Sequence, residues 1–271
     1  MFGGYNRYFF GDSMYRYMKF APNFFHKIIS KILKIVPPEG WDKSFKILNK
    51  VFSVNSSVSH PGEKIYKISS LLLAKNEYDF YSKLVSIWSE NNPVISQNKF
   101  ETNLNHNLWN KNLHLSDNMM HIDSVTYLPD DILVKVDRAS MSLGLESRAP
   151  FLDHDVVNFA MKIPRNYKIN HNKGKLILRS VLNNYIPETI HSRNKKGFSA
   201  PIHDWIRGPL REWAEDLLSE DKLRNQGLFD VDLIRDALKD HLSNKSNNQY
   251  QLWSVLMFQS WLENEKKQTN R

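Results

Sequence analysis

The chain has 271 residues, 41% of them hydrophobic and 24% charged, which is enough length and apolar content for a folded core of its own. It contains no cysteine, so disulfides, thiolate metal sites and a cysteine nucleophile are excluded. Its 37 basic and 29 acidic residues leave a net charge of +8, which fits a solvated basic surface or an anionic partner without choosing among nucleotide, nucleic acid and membrane.

Met1–Phe20 is rich in Tyr and Phe but broken by Arg7, Asp12, Arg16 and Lys19, so it has no secretory apolar region. No apolar run exceeds the length of Leu71–Ala74, far short of a membrane span, and a cytoplasmic location is the default expectation. Lys43–Phe52 and Tyr78–Trp88 place apolar residues at helical spacing, with Pro37-Pro38-Glu39-Gly40 and Pro61-Gly62 as punctuation. From Ser89 to Asn118 the composition shifts to Asn, Ser and His, which reads as a long connection or lid. These shifts divide the chain into a helical part (1–88), a polar connection (89–118), a second helical part (119–265) and a tail (266–271). No repeat and no strand-rich block is visible.

Pro129-Asp130-Asp131 opens a helix, since proline suits the first turn and acids suit the positive end of the dipole. Leu128, Ile132, Val136 and Leu143 lie to one side of it, and Gly144 stops it. Glu146–Leu152 is expected to be extended, because Pro150 disfavours helix at Ala149, and His154–Ile163 to be helical. Lys173–Tyr185 reads as an amphipathic helix with Leu178, Val181, Leu182 and Tyr185 on its apolar face, ended by Pro187. The basic loop Arg193–Gly197 follows, then helices at Pro201–Ile206 and Pro209–Leu218. Asp230 caps a helix carrying Val231, Ile234 and Leu238 on one stripe, and Tyr250–Leu262 is apolar nearly all round, as a buried helix would be.

Two clusters of cations stand out. Lys175 and Arg179 share a helix face with no acid at a neighbouring helical position, and Arg193-Asn194-Lys195-Lys196-Gly197-Phe198 combines point charges with a glycine that permits close approach. Taken alone, each reads as a water-screened surface; two such clusters joined by a short helix favour an anion site, which would supply electrostatic stabilisation but no nucleophile or base. Asp137 and Arg138 sit among apolar residues, so partial burial as a structural ion pair is expected, and Glu146, Arg148 and Asp153 read the same way. There is no glycine-rich phosphate loop and no nucleophile elbow, and His106, His114 and His121 lack metal spacing. No helix carries the pattern of a DNA-reading module.

Tyr127-Leu128-Pro129-Asp130-Asp131-Ile132-Leu133-Val134-Lys135-Val136-Asp137-Arg138-Ala139-Ser140-Met141 resembles a signature of bacterial glutamine-hydrolysing asparagine synthetases, and Leu145-Glu146-Ser147-Arg148-Ala149-Pro150-Phe151-Leu152-Asp153 resembles the next one. Lys173-Gly174-Lys175, Arg193–Pro201 and Trp205-Ile206-Arg207-Gly208-Pro209-Leu210 continue in the family's order, and Phe2-Gly3-Gly4-Tyr5 resembles the tail of the motif that carries its catalytic acid. The resemblance covers essentially the whole chain and is weakest from about Phe24 to Asn118.

The resemblance implies a mainly α fold: the helical C-terminal portion of an α/β synthetase domain of the adenine-nucleotide-hydrolase-like, pyrophosphate-loop kind. It implies a ligase in which aspartate is adenylated by ATP with Mg2+ and ammonia drawn from glutamine attacks the acyl-adenylate. Lys195 matches the lysine that stabilises charge in that chemistry and Lys175 one that contacts the phosphates; Asp137, Arg138, Glu146, Arg148 and Asp153 match positions read as substrate-pocket support. The glutaminase cysteine, the pyrophosphate loop and the magnesium-binding acids have no counterpart in these 271 residues. The expectation is therefore a truncated synthetase, inactive alone, whose helices lack the sheet they pack on and whose partners are ATP, aspartate and the missing N-terminal half, with a homodimer left open. No membrane and no nucleic-acid partner is expected. The alternatives are a non-catalytic or split-enzyme fragment, and an amidotransferase acting on a sugar acid.

Overall fold

The computed structural model describes residues 1–52, 61–88, 92–95, 106–170, 173–192 and 200–269. Helices dominate. In chain order they are α1 (Asn6–Lys19), α2 (Asn23–Ile35), α3 (Pro38–Phe52), α4 (Pro61–Leu71), α5 (Glu77–Val85), α6 (Leu115–Val125), α7 (Val134–Met141) and α8 (His154–Lys162). They continue with α9 (Arg165–Lys168), α10 (Leu176–Leu182), α11 (Glu188–His191), α12 (Ile202–Arg207), α13 (Arg211–Leu217), α14 (Glu220–Gln226), α15 (Val231–Leu242) and α16 (Gln249–Thr269). Among the described residues, β structure is limited to two isolated antiparallel bridges, Val94–Phe229 and Ile169–Gly174.

The chain divides into two compact units built from non-contiguous segments. The first comprises Met1–Pro22, Lys75–Leu84 and Glu101–Lys196; the second comprises Asn23–Ala74, Val85–Phe100 and Gly197–Arg271.

In the first unit α1 lies along α6, and the buried centre is Tyr8, Phe80, Tyr81, Met119 and Ile122. The signature segment begins as a wider π-helical turn, Leu128–Leu133, before α7 continues it. Such turns are uncommon and often sit at functional sites. Asp153 caps α8 as its side chain accepts from the backbone of Asp155 (2.9 Å) and Val156 (3.3 Å). Two expectations are corrected here. The helix read over Lys173–Tyr185 starts at Leu176, because Lys175 takes a left-handed backbone at φ 59°. Glu146–Leu152 is not extended to its end, since Pro150–Leu152 forms a 3-10 turn.

In the second unit α2 and α3 pack on α4, joined by Ser30 Oγ donating to the Ser69 carbonyl (2.8 Å) and the Gly62 amide donating to Asp42 (2.8 Å). Helices α12 to α16 enclose a core of Ile206, Leu217, Leu218, Leu223, Ile234, Leu238, Leu252 and Leu256. Helix α15 follows the expected stripe, with Asp230 accepting from the Leu233 amide at 3.0 Å. Helix α16 does not. Only Leu252, Val255, Leu256 and Gln259 are buried, while Tyr250, Met257 and Trp261 face water.

Arg207, in the middle of the Trp205–Leu210 motif, clamps the second unit. Its guanidinium donates to the His241 carbonyl (2.6 Å) and the Ser246 carbonyl (3.4 Å) and pairs with His203 Nε2. Of the polar stretch 89–118, residues 89–91 and 96–105 lie outside the described residues, and Leu115–Asn118 already belongs to α6.

Candidate functional site

Sequence segments far apart meet in the first unit around Phe2–Arg7. The Phe2 ring packs edge-on against Phe151 at 5.5 Å, and the Tyr5 ring against Tyr127 at 5.6 Å. Arg7 lies over both tyrosines of the second pair, 4.8 Å from the Tyr5 ring and 4.9 Å from the Tyr127 ring, a cation–π sandwich. Burial and then the hydrogen bond shared with Tyr5 push the Tyr127 hydroxyl up to about 12. The N-terminal stretch thus touches both long signature segments at once.

Asp123 holds this hub in place. It is buried and accepts from Arg7 Nε (3.0 Å), the Tyr8 hydroxyl (2.6 Å) and the Tyr81 hydroxyl (2.6 Å). Burial alone would lower the Arg7 pKa; the Asp123 carboxylate outweighs it and the net shift is upward. Burial first, with Asp123 added, pushes both tyrosines far above the ordinary phenol range. The three donors therefore keep their protons, and the network is a brace rather than a proton relay.

The third convergence is on glycines. The Lys175 amide donates to the Phe2 carbonyl at 3.1 Å. A Cβ on Gly174 would stand 1.9 Å from the Gly3 carbonyl oxygen, and one on Gly4 would stand 2.7 Å from Lys175 Cε. Only glycines let these two stretches touch, and the Lys175 side chain is laid across Gly4. A lysine with positive φ is uncommon, and such strain concentrates at functional positions.

Arg179 does not present a second cation beside Lys175. It is half-buried and spent on backbone, Nε donating to the Gly174 carbonyl (3.1 Å) and Nη1 to the His191 carbonyl (3.4 Å). It ties the turn before Lys175 to the end of α11, the last described stretch ahead of the basic loop. That loop, with Lys195, lies outside the described residues.

The remaining candidates are at the surface. Glu146 and Arg148 pair at 2.8 Å with side chains 69% and 84% exposed, so the pair adds little stability. Asp153 is an exposed helix cap. Asp137 and Arg138 are exposed too, and neither side chain forms an ion pair among the described residues, which corrects the expected partial burial. Their apolar neighbours share that exposure: Val134, Val136, Met141, Leu143, Leu145, Phe151, Phe159 and Met161 all face water. The apolar side of α10 does as well, with Val181 and Leu182 exposed, as is Tyr185 just after the helix.

Sequence reading missed Arg7 and Asp123. An aspartate in an amphipathic helix reads as surface, and nothing local marks Asp123 as the acceptor for three donors from two other helices. Among the described residues, no group of three or more His, Asp or Glu is placed to hold a metal ion.

The arrangement brings Lys175 against the Phe2–Gly4 stretch in a helical domain. The sequence model of the asparagine synthase family matches residues 1–263, and the chain belongs to that family. It is similar to asparagine synthetase [glutamine-hydrolyzing] 1 of Bacillus subtilis, 34% identical over 143 residues, covering 53% of this chain and 22% of that protein. A putative asparagine synthetase [glutamine-hydrolyzing] of Mycobacterium tuberculosis is 37% identical over 144 residues, with the same two shares. The amidase chry2 of Gibberella zeae is 28% identical over 120 residues, 42% of this chain and 18% of that protein. The chain thus covers only about a fifth of the length of these relatives. No solved structure matches it.

Proposed function

We propose that the first unit supplies the phosphate-binding lysines of an ATP-dependent amide synthesis in which aspartate becomes asparagine. Lys175 and Lys195 neutralise charge as the aspartate side-chain carboxylate attacks the α-phosphorus of ATP and pyrophosphate departs. The observation that carries this reading is Lys175 itself, held in a left-handed backbone with its side chain across Gly4. Arg179 supports a role for both lysines. It binds the His191 carbonyl, and Lys195 follows His191 by four positions, a reach of at most about 14 Å.

The same reading makes this chain a contributor rather than the whole catalyst. Its 271 residues contain no glycine-rich phosphate loop. The exposed apolar residues from Val134 to Met161 support a covering layer supplied by further polypeptide.

Two measurements on the 271-residue chain test this. Pyrophosphate titration followed by calorimetry is expected to show binding that Lys175→Ala and Lys195→Ala each weaken about 10-fold or more, as loss of a charge-assisted hydrogen bond requires. Equal affinity in wild type and both variants refutes the anion site. Asparagine formation from aspartate, ATP and ammonia is expected at the level of the blank; clear turnover refutes the contributor reading.

A further inference from the structure

Helix α2 is inside out. At about 100° per residue, Phe24, Phe25, Ile28, Ile29, Ile32 and Ile35 occupy one arc of about 140°. All six are exposed, from 38% for Ile28 to 75% for Ile35. The side turned inward, toward α4, carries the buried polar residues His26 and Ser30. A helix on a globular surface normally turns its apolar face to the core and its polar face to water. Here the reverse holds within one compact unit, and the inward face is committed by the Ser30 bond to the Ser69 carbonyl.

Charge identifies the occupant of the outer face. Lys27, Lys31 and Lys34 follow one edge of the apolar arc along the length of the helix, and no Asp or Glu occurs between residues 23 and 35. Lys27 and Lys31 are exposed. A second copy of α2 laid antiparallel and face to face would bring lysine rows together, and a nucleic acid would leave the phenylalanines and isoleucines in water. An anionic lipid surface accepts both features. The apolar arc enters the acyl boundary while the lysine stems run up to the head groups.

We propose that α2 is a membrane-surface helix that adsorbs the second unit to anionic bilayers, lying in the interface rather than spanning it. No helix among the described residues is long and apolar enough to cross a membrane. The inference revises the sequence-based expectation of no membrane partner and is independent of the phosphate-site reading.

The test is co-sedimentation of the full chain with vesicles of phosphatidylcholine alone and vesicles holding roughly a third phosphatidylglycerol. Binding is expected on the anionic vesicles and to be at least about 10-fold weaker on the neutral ones and at high salt. Lys27→Gln with Lys31→Gln is expected to lower anionic binding about 25-fold, about fivefold per lysine. Both side chains are exposed, so this variant keeps its fold, checked by circular dichroism. Phe24→Ser with Ile28→Ser is expected to abolish binding. The proposal is overturned by absence of binding to anionic vesicles, by equal binding to both kinds, or by a double lysine variant that binds like wild type. It is equally overturned if the chain is a dimer in solution that Phe24→Ser with Ile28→Ser makes monomeric.

Discussion

Replacing Asp123 by asparagine removes one negative charge from the hub of the first unit while preserving shape. Three donors point at this carboxylate: the Arg7 guanidinium, with its closest nitrogen at 2.8 Å, and the hydroxyls of Tyr8 and Tyr81, both at 2.6 Å. Breaking a buried ion pair by removing one partner costs about 3–5 kcal/mol. Arg7 keeps 24% of its side-chain surface in water, against 7% for Asp123, so its share falls to about 2 kcal/mol. Each tyrosine bond drops from a charged to a neutral acceptor, about 1 kcal/mol apiece. The expected loss is about 4 kcal/mol, with Tyr81→Phe costing about 1 kcal/mol. Urea unfolding followed by far-UV circular dichroism measures both. Because Tyr81 acts through Asp123, the double variant is expected to cost about 1 kcal/mol less than the sum of the singles. The freed Arg7 also loosens the contact with Tyr5 and Tyr127, so pyrophosphate affinity should fall together with stability. A loss below about 1 kcal/mol, or strict additivity with Tyr81→Phe, refutes the reasoning.

Gly174→Ala places a methyl against the Gly3 carbonyl, where backbone cannot yield, and should part the two stretches. It removes no charge, yet pyrophosphate calorimetry should show a loss comparable to Lys175→Ala; wild-type affinity refutes the glycine contact. Lys175→Gly relieves the left-handed backbone, so stability in urea should rise by about 1 kcal/mol while pyrophosphate binding falls. In the second unit, burial and then Asp42 push Glu63 up from 4.5 to about 7. The folded state thus holds a proton that the unfolded state releases, and stability falls as pH rises from about 4.5 to about 7. Burial, then Arg207 and His203, pull His241 down from 6.5 to about 4, so its contribution is lost as pH falls from about 6.5 to about 4. Thermal melts across pH should show Glu63→Gln abolishing the first dependence and His241→Asn the second; an unchanged profile in either variant refutes that assignment.

Much of the local structure was legible in the chain. Asp230 caps its helix as expected, and α15 buries Ile234 and Leu238 from one stripe. Caps and stripes depend on residues within a turn or two of each other, which a sequence displays directly. The ordered signature segments and the lysines Lys175 and Lys195 were also apparent without coordinates. What they touch was not. The helix expected from Lys173 begins three residues later because Lys175 answers to Phe2 and Gly4, about 170 positions away.

The amino-acid sequence by itself determined which side chains share a face, where helices start and stop, and which family the chain resembles. Only the tertiary structure decided which face turns inward. Tyr250–Leu262 of α16 is apolar nearly all round yet buries one stripe, Asp137 and Arg138 sit among apolar residues yet face water, and α2 hides its serine and shows its phenylalanines. The reason is physical: periodicity is a property of one helix, whereas burial is a property of the surfaces that meet, and the partner that buries a residue is set by packing between distant segments.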